Sequence, residues 1–334
     1  MNKRVLSLTL LLACLGLMTM QAEGRKVESF NSGWSFKKAP AEKELAINAP
    51  KWDKGWSEVE IPHTWNAKDM QVQANSFYEG AAYYKKQYFF PAELKDKRVF
   101  LRFEGVGSCA EVFVNGMLAT SHKGGYSAFA CEISPLLKAG EENEIIVKAD
   151  NKSRPDVIPV NHNLFGVYGG IYRPVWLVVT EPCNISVTDC ASPGVYVTQK
   201  NVSKKQADVK VKVKLDNGTL QPVPVTLQNT IYDQEGKQVA THSQSFELSA
   251  QGEQAYESSF TIKKPTLWQG RENPYLYKVV SRLIKDGQVI DEMVQPLGLR
   301  KYEIVAGKGF YLNAEKYPMY VFTRHQDWRG LGSA

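Results

Sequence analysis

The chain has 334 residues, of which 41 are basic and 35 acidic, so its formal net charge is +6. Hydrophobic residues make up 43% and charged residues 23%, a composition that is typical of packed proteins and excludes wholesale disorder. The basic residues are scattered without a long run of like charge, which argues against a nucleic-acid partner. At about 100–200 residues per domain, this length predicts two or three domains.

Residues 1–22 have the pattern of a secretory signal peptide. A basic start, Lys3-Arg4, is followed by an apolar stretch over residues 5–18 and by Met20-Gln21-Ala22, which suits cleavage. The pattern predicts export to the periplasm or the exterior. Cys14 leaves a lipid anchor open as the alternative, although the apolar stretch continues past it. No later stretch has the length and apolar character that predict a transmembrane helix.

Residues 23–180 alternate apolar and polar side chains with the period of a β-strand. Val99, Leu101 and Phe103, for example, share one face of a predicted strand. Asn115-Gly116 stands between two alternating runs, which predicts a hairpin because both turn residues need positive φ. We predict an all-β fold that begins with an antiparallel jelly-roll sandwich.

Residues 181–297 show the same period, but here one face of each predicted strand is clearly more polar than the other. Lysines separate four apolar residues of one run: Val209, Val211, Val213 and Leu215. Such alternation is typical of a sheet with one solvated face. About seven short strands with turn signals between them fit an immunoglobulin-like sandwich. Beyond it, Gly309 begins a predicted hairpin that leads into a predicted strand from Tyr317 to Phe322.

The cysteines give no strong signal. Beyond residue 22 there are four, at Cys109, Cys131, Cys183 and Cys190, with spacings that match no zinc pattern. Export permits disulfides, so a Cys183–Cys190 bridge stays open.

Several motifs in chain order are specific in combination. They are Asn31-Ser32-Gly33-Trp34-Ser35-Phe36, Ile61-Pro62-His63-Thr64-Trp65-Asn66, Val112-Phe113-Val114-Asn115-Gly116, Gly124-Gly125-Tyr126, Tyr168-Gly169-Gly170-Ile171-Tyr172-Arg173, Leu267-Trp268, Asn273-Pro274-Tyr275-Leu276-Tyr277, Gly298-Leu299-Arg300, Gly309-Phe310-Tyr311-Leu312-Asn313 and Arg324-His325-Gln326-Asp327. In this order they resemble the N-terminal portion of glycoside hydrolase family 2, the β-galactosidase and β-glucuronidase group.

The resemblance implies a sugar-binding jelly roll over 23–180, an immunoglobulin-like sandwich over 181–297, and the truncated start of a catalytic (β/α)₈ barrel over 298–334. It implies a β-linked oligosaccharide or glycan as substrate and no cofactor or metal. It also implies that Asp327 accepts hydrogen bonds from sugar hydroxyls, supported by His325 and Arg324. The His-Gln-Asp sequence favours β-galactosidase. β-Glucuronidase is the alternative, since glucuronidases share the Pro-His-Thr-Trp-Asn motif.

Three positions depart from the family pattern. Many relatives carry Asp at the position of Leu164, and Pro174 also replaces a frequent Asp. Ala314 stands where Gly is usual, so it must either strain a turn that needs positive φ or change the turn type.

The resemblance also implies that the catalytic carboxylates are missing. Retaining hydrolysis needs two carboxyl groups about 5–5.5 Å apart, and the family places both on later strands of a barrel of about 250 residues. Only 34 residues follow Arg300. The single Asn-Glu pair, Asn143-Glu144, opens a strand and is interpreted as structural. We therefore expect this chain alone to be inactive.

Most motif residues are interpreted as structural. His63 is predicted to be a core histidine with a satisfied ring nitrogen, and Gly169-Gly170 to allow close backbone approach. Four tryptophans are predicted to lie in the core rather than to stack on sugars: Trp34, Trp52, Trp65 and Trp176. Trp268 and Tyr275 are expected to anchor the second core. A stand-alone carbohydrate-binding protein is the rival class, and residues 298–334 argue against it, because a binding module needs no start of a barrel.

Overall fold

The structure, a computed structural model, describes residues 24–39, 54–69, 77–160, 166–323 and 331–334. The signal-peptide prediction for residues 1–22 and the prediction for Trp52 fall outside these ranges. Within these ranges, no helix has the length and apolar character needed to cross a membrane.

The first sandwich consists of antiparallel strands. Those in the described ranges are Lys26–Ser29 (β1), Trp34–Lys38 (β2), Ser57–Val59 (β3), Ala81–Phe90 (β4), Arg98–Phe103 (β5), Cys109–Val114 (β6), Met117–Lys123 (β7), Phe129–Glu132 (β8), Glu141–Asp150 (β9) and Val175–Thr180 (β10). They form one sheet of order β3-β2-β4-β9-β6-β7 and another of order β1-β10-β5-β8. Short 3-10 helices lie at Ala92–Leu94 and Ser134–Leu136.

Both sheets contribute to a single core. Val99, Leu101 and Phe103 of β5 are fully buried there, as the alternation predicts, with Trp34 and Ile145 from the facing sheet. Asn115 and Gly116 join β6 to β7 with φ of 51° and 80°. The predicted hairpin is therefore confirmed.

The second sandwich follows directly. Its described strands are Cys183–Ile185 (β11), Val195–Lys200 (β12), Gln206–Asn217 (β13), Val223–Tyr232 (β14), Gln238–Leu248 (β15), Gly252–Lys263 (β16), Tyr277–Lys285 (β17) and Gln288–Leu297 (β18). One sheet has the order β11-β13-β12 with β16 also paired to β13, and the other has the order β15-β14-β17-β18. The predicted all-β fold with two successive sandwiches is confirmed.

The side chains of β13 follow the predicted alternation. Its apolar residues are buried at 1% exposure or less: Val209, Val211, Val213 and Leu215. They face a second core that also includes Leu227 and Leu283. The intervening lysines lie on the other face, where Lys210 pairs with Glu257 and Lys214 with Asp189.

The two sandwiches are in contact through buried groups. Phe100 of β5 is fully buried against Val178 and against Val187, which follows β11. Arg98 donates to both carboxylate oxygens of Glu132 at 3.1 and 2.6 Å and to Asn184 Oδ1 at 2.8 Å. The face of β5 that carries Arg98 and Phe100 is therefore covered by the start of the second sandwich.

The last strands form a small meander: Tyr302–Val305 (β19), Gly309–Leu312 (β20) and Glu315–Lys316 (β21). Residues 317–323 form no strand, so the strand predicted from Tyr317 to Phe322 is wrong. Tyr320, Val321 and Phe322 are more than 80% exposed and pair with no strand in the described ranges. Sequence propensity alone does not make a strand, because backbone groups need a partner. No closed barrel is present among the described residues.

Residues 298–301 connect the second sandwich to the meander. Leu299 is fully buried in the second core, so that core extends beyond the predicted boundary at residue 297. The side-chain Oδ1 of Asn313 accepts from the backbone amide of Lys301 at 2.9 Å. The backbone amide of Asn313 donates in return to the Lys301 carbonyl at 2.7 Å. Trp268 does not lie in the core. It is half-buried under the Arg300 guanidinium, 5.1 Å from the ring centroid, while Tyr275 packs on the core as predicted.

Candidate functional site

The residues predicted to contact substrate, Arg324, His325 and Asp327, lie outside the described residues, as does Leu164. The chain is described again from Leu331, and there it packs on the first sandwich. A Cβ added to Gly332 would lie 2.7 Å from Tyr168 Cε1 and 3.0 Å from Thr64 Cγ2. The loops at this end of the jelly roll, residues 61–69, 77–80, 150–152 and 166–171, are here named the loop cluster.

Asn66 is the centre of the loop cluster and is fully buried. Its Oδ1 accepts from the Gly169 amide at 2.8 Å and from Asn151 Nδ2 at 3.2 Å. Its Nδ2 donates to Asp69 Oδ2 at 2.7 Å and to the Tyr78 carbonyl at 3.0 Å. The amide therefore makes all four hydrogen bonds it is capable of, one within its own loop and one to each of the other three loops.

Asn151, also fully buried, completes the network. Its Nδ2 donates to the Val167 carbonyl at 2.9 Å and to the Tyr78 carbonyl at 3.2 Å, while its Oδ1 accepts from the Gly80 amide at 2.9 Å. A carboxylate could not replace either asparagine, because it has acceptors only. The network therefore fixes the relative positions of all four loops through neutral groups.

Close backbone approach explains the glycine pair. A Cβ on Gly169 would lie 2.0 Å from Trp65 Cζ2, and Gly170 has a φ of 119° beside the His63 carbonyl. Thr64 Oγ1 donates to the Gly169 carbonyl at 2.7 Å. The prediction that these glycines allow close approach is confirmed, and the Trp65 ring lies on their backbone.

His63 is the single histidine in the described part of the cluster. Its Nδ1 lies 2.7 Å from Tyr84 Oη, and its ring packs 4.7 Å from that of Phe36. Burial, with the positive charge of Lys38, lowers its pKa from 6.5 to about 4. Burial also raises the pKa of Tyr84. His63 is therefore neutral near pH 7. The predicted satisfied ring nitrogen is confirmed, but the side chain is half-buried at the edge of the core and not within it.

The carboxylates of the cluster are engaged in structural contacts. Asp69 Oδ2 accepts from Asn66 Nδ2 and, at 3.1 Å, from the Tyr78 amide. Asp150 accepts from Arg154 at 2.6 Å and from the Lys152 amide at 2.8 Å. No group of His, Cys, Asp and Glu among the described residues could hold a metal ion. This arrangement can position the loops and a ligand.

Comparison with known proteins identifies the family. The model of the sugar-binding domain of glycosyl hydrolases family 2 matches residues 27–182, and the model named for glycosyl hydrolases family 2 itself matches residues 193–300. The chain belongs to glycoside hydrolase family 2. The resemblance stated from the motifs is confirmed.

Curated relatives within family 2 include two sugar specificities. A β-glucuronidase of Bacteroides fragilis is 41% identical over 280 residues, which cover 83% of this chain and 39% of that protein. A β-galactosidase of Bacteroides ovatus is 30% identical over 318 residues, which cover 93% of this chain and 36% of that protein. The chain spans about two fifths of the length of these relatives.

Solved structures of the family superpose closely. One from Bacteroides fragilis, provisionally described as a β-galactosidase, gives a TM-score of 0.90 at 72% identity over 93% of this chain and 46% of its own. Bacteroides uniformis β-glucuronidase 2, covalently bound to cyclophellitol-6-carboxylate aziridine, gives a TM-score of 0.86 at 29% identity. This match covers 92% of this chain and 36% of that one.

The Asn-Glu pair makes structural contacts. Asn143 is fully buried, and its Oδ1 accepts from Asn115 Nδ2 at 2.7 Å and from the Lys138 amide at 2.8 Å. Asn115 Oδ1 in turn accepts from the Glu144 amide at 3.1 Å. The pair therefore fixes the hairpin turn of β6 and β7, which agrees with the structural interpretation.

Other sequence predictions are resolved by burial. Trp34 and Trp65 are core residues, and Trp176 is half-buried with its Nε1 donating to Glu104 Oε1 at 3.1 Å. All four described cysteines are free, with Cys183 buried and Cys190 exposed, so the structure shows no bridge between them. Ala314 keeps a φ of 70°, so the turn retains its type and the alanine carries the strain.

Sequence reasoning missed Asn151 and the pair formed by Arg25 and Asp291. Asn151 follows the last residue of β9, and a polar residue at a strand end is too common to single out. Arg25 and Asp291 are 266 positions apart and belong to no motif. The one available signal for Asp291 was an acid at a position where the alternation of Val289 and Met293 predicts an apolar, inward-facing residue.

Proposed function

We propose that this chain is the N-terminal, non-catalytic part of an exported retaining exo-β-glycosidase of family 2. In this proposal the loop cluster fixes one edge of the substrate site, and catalytic carboxylates outside this sequence perform the acid–base chemistry. The observation that carries the proposal is the buried Asn66–Asn151 network, which orders four loops with neutral amides. Positioning of this kind contributes to catalysis because small misplacements of binding groups slow the reaction strongly.

β-Galactosidase is the proposed activity of the whole protein. The His325-Gln326-Asp327 sequence supports it, and so does the provisional description of the 72%-identical Bacteroides fragilis structure. β-Glucuronidase is the second candidate, supported about as well by the 41%-identical curated relative. Either enzyme would act on terminal β-linked sugars of a glycan.

Turnover by the chain itself tests the non-catalytic part of the proposal. Purified protein is incubated with aryl β-galactoside and aryl β-glucuronide beside a mock purification. The expected result is no release of the aryl group from either substrate, because no acid is available to protonate the leaving oxygen. Turnover above the mock level would contradict the proposal.

A chimera tests the sugar specificity. Residues 24–334, which include His325 and Asp327, replace the corresponding part of the 72%-identical Bacteroides fragilis protein, whose remaining part supplies the barrel. The chimera is expected to hydrolyse aryl β-galactoside with a higher kcat/KM than aryl β-glucuronide. The reverse preference would establish the glucuronidase alternative, and an inactive but folded chimera would contradict the supporting role.

A further inference from the structure

Between the second sandwich and the meander lies a cleft of about 570 Å³ that the proposed function does not use. The end of β12 and the turn that follows it form one wall, and residues 300–302 form the other. The lining residues include Gln199, Lys200, Ser203, Arg300, Lys301 and Tyr302. This volume lies within the range of about 300–1,000 Å³ that is usual for sites of small ligands.

The charged residues that line this cleft are all positive. Lys200, Arg300 and Lys301 line it, and no lining residue is acidic. Glu303 approaches Lys301 only at 4.0 Å, with both side chains more than half exposed, so this pair offsets little of the positive charge. The nearby carboxylate of Asp208 accepts from Asn201 Nδ2 and Thr261 Oγ1, both at 2.8 Å. A ligand with negative charge fits this surface.

The cationic wall is preorganised. Gln199 Oε1 accepts from the Arg300 amide at 2.9 Å, and Gln199 Nε2 donates to the Gly298 carbonyl at 3.2 Å. The Arg300 guanidinium lies over the Trp268 ring and donates one bond to the Gly298 carbonyl at 3.1 Å. Because the guanidinium has five N–H donors in a planar fork, a carboxylate or sulfate can still be bound bidentately.

The opposite wall is also ordered, and the cleft has an aromatic edge. Ser203 Oγ accepts from the amides of Lys205 and Gln206, both at 3.2 Å, which closes the turn after β12. Tyr302 is 65% exposed, and its ring stacks on Phe310 with centroids 6.1 Å apart. An exposed, supported tyrosine ring offers an apolar face to the C–H side of a pyranose and a hydroxyl to its edge.

We propose that this cleft binds an anionic oligosaccharide, one whose sugar rings carry carboxylate or sulfate groups. Arg300, Lys200 and Lys301 pair with the acidic groups, and Tyr302 contacts a sugar ring. The site lies between the second sandwich and the meander and shares no residue with the loop cluster. It needs no catalysis by this chain, so its failure would leave the proposed glycosidase function untouched.

Calorimetric titration of the full chain tests the site. The probes share one backbone: cellotetraose, its C6-carboxylate form and its C6-sulfate form. We expect at least one charged form to bind and the neutral form to show no detectable heat. Binding of the carboxylate form alone identifies uronate groups, binding of the sulfate form alone identifies sulfates, and binding of both identifies the shared anionic chemistry.

Variants locate the binding. Lys200→Gln and Lys301→Gln should each lower the affinity for the charged probe at least about fivefold, as expected for a lost charge-assisted hydrogen bond. Tyr302→Ala should lower this affinity although the charge of the cleft is unchanged. Arg300→Lys should lower it because lysine lacks the planar guanidinium that binds an anion bidentately. The control Lys237→Gln changes an equally charged residue in the β14–β15 turn and should have no effect. A melting temperature within one degree of wild type, about the error of the measurement, confirms folding of each variant.

Three results would overturn the proposal. They are the absence of binding by both charged probes at millimolar concentration, equal binding of cellotetraose, and retention of full affinity by the Lys200 and Lys301 variants. A single-stranded oligonucleotide of equal charge serves as a further probe. If it binds as tightly as the sugars and is unaffected by Tyr302→Ala, the cleft is a general anion surface and the proposal fails.

Discussion

Arg25 and Asp291 form a bidentate ion pair between the residues that precede β1 and the second sandwich. Arg25 Nε lies 2.9 Å from Asp291 Oδ1, and its Nη2 lies 2.7 Å from Oδ2. The carboxylate is fully buried and also accepts from the Ile185 amide at 2.7 Å. Next to Arg25, a Cβ on Gly24 would lie 2.0 Å from the Ile290 carbonyl oxygen. The first described residues of the chain are therefore fixed to β18.

A double-mutant cycle measures this pair. Arg25→Met or Asp291→Leu should each lower the free energy of unfolding by about 3–5 kcal/mol, because each leaves a buried charge without its partner. The double variant should lose much less than the sum. Urea unfolding provides the measurement, and the exposed pair Lys210 and Glu257 is the control, with no expected coupling. Additive effects at Arg25 and Asp291 would show that the two charges do not depend on each other.

The two asparagine-led turns provide a matched pair of substitutions. Asn115-Gly116 and Asn313-Ala314 both have positive φ at both positions, at 51° and 80° and at 51° and 70°. Ala314→Gly should stabilise its turn by about 1 kcal/mol, and Gly116→Ala should destabilise the other by a similar amount. Amide hydrogen exchange across β20 and β21 measures the first effect, and urea unfolding measures the second. Slower exchange in wild type than in Ala314→Gly would contradict the strain.

His63 should make stability depend on pH in the acid range. Its pKa falls from 6.5 to about 4 in the folded protein, chiefly through burial. Between these values the unfolded chain binds more protons, so stability is fully present above pH 6.5 and is lost as the pH falls toward 4. His63→Gln removes this contribution. The free energy of unfolding of wild type should therefore decline more steeply than that of the variant from pH 7 to 4.5. Parallel declines would contradict the lowered pKa of the half-buried His63 imidazole.

The second core sets where the chain can be shortened. From the sequence, ending it at Leu297 is expected to leave both sandwiches folded, but Leu299 is fully buried in the second core. Loss of a buried leucine costs about 2–5 kcal/mol, so this truncation should lower the melting temperature by several degrees. Ending the chain at Tyr317 keeps Leu299 and Asn313 and removes the same later residues as the shorter truncation, so it should melt several degrees higher than the chain that ends at Leu297. Equal melting temperatures for the two truncations would show that Leu299 contributes nothing.

Local patterns predicted much of the fold because they depend on neighbours in sequence. The alternation in β13 fixes which face is buried, and Asn115-Gly116 defines its turn by conformational preference alone. The strand predicted from Tyr317 failed because a strand also depends on a partner that the pattern does not contain. Arg25 with Asp291, and Asn66 with Asn151, depend on contacts across 266 and 85 positions. Composition and periodicity carry no information on such pairs, so these contacts had to be read from the structure.

The central claim is that the loop cluster positions the substrate site and performs no proton transfer. The most direct measurement is kcat/KM against pH for the family 2 chimera carrying either Asn66→Ala or His63→Gln. Loss of the amide network should lower kcat/KM by about tenfold or more in Asn66→Ala, because a small displacement of binding groups has effects of this size. His63→Gln should change kcat/KM less than twofold and leave the pH profile unshifted, since a half-buried imidazole with a pKa of about 4 carries no catalytic proton near neutrality. A shifted pH profile in His63→Gln, or full activity in Asn66→Ala, would contradict the claim.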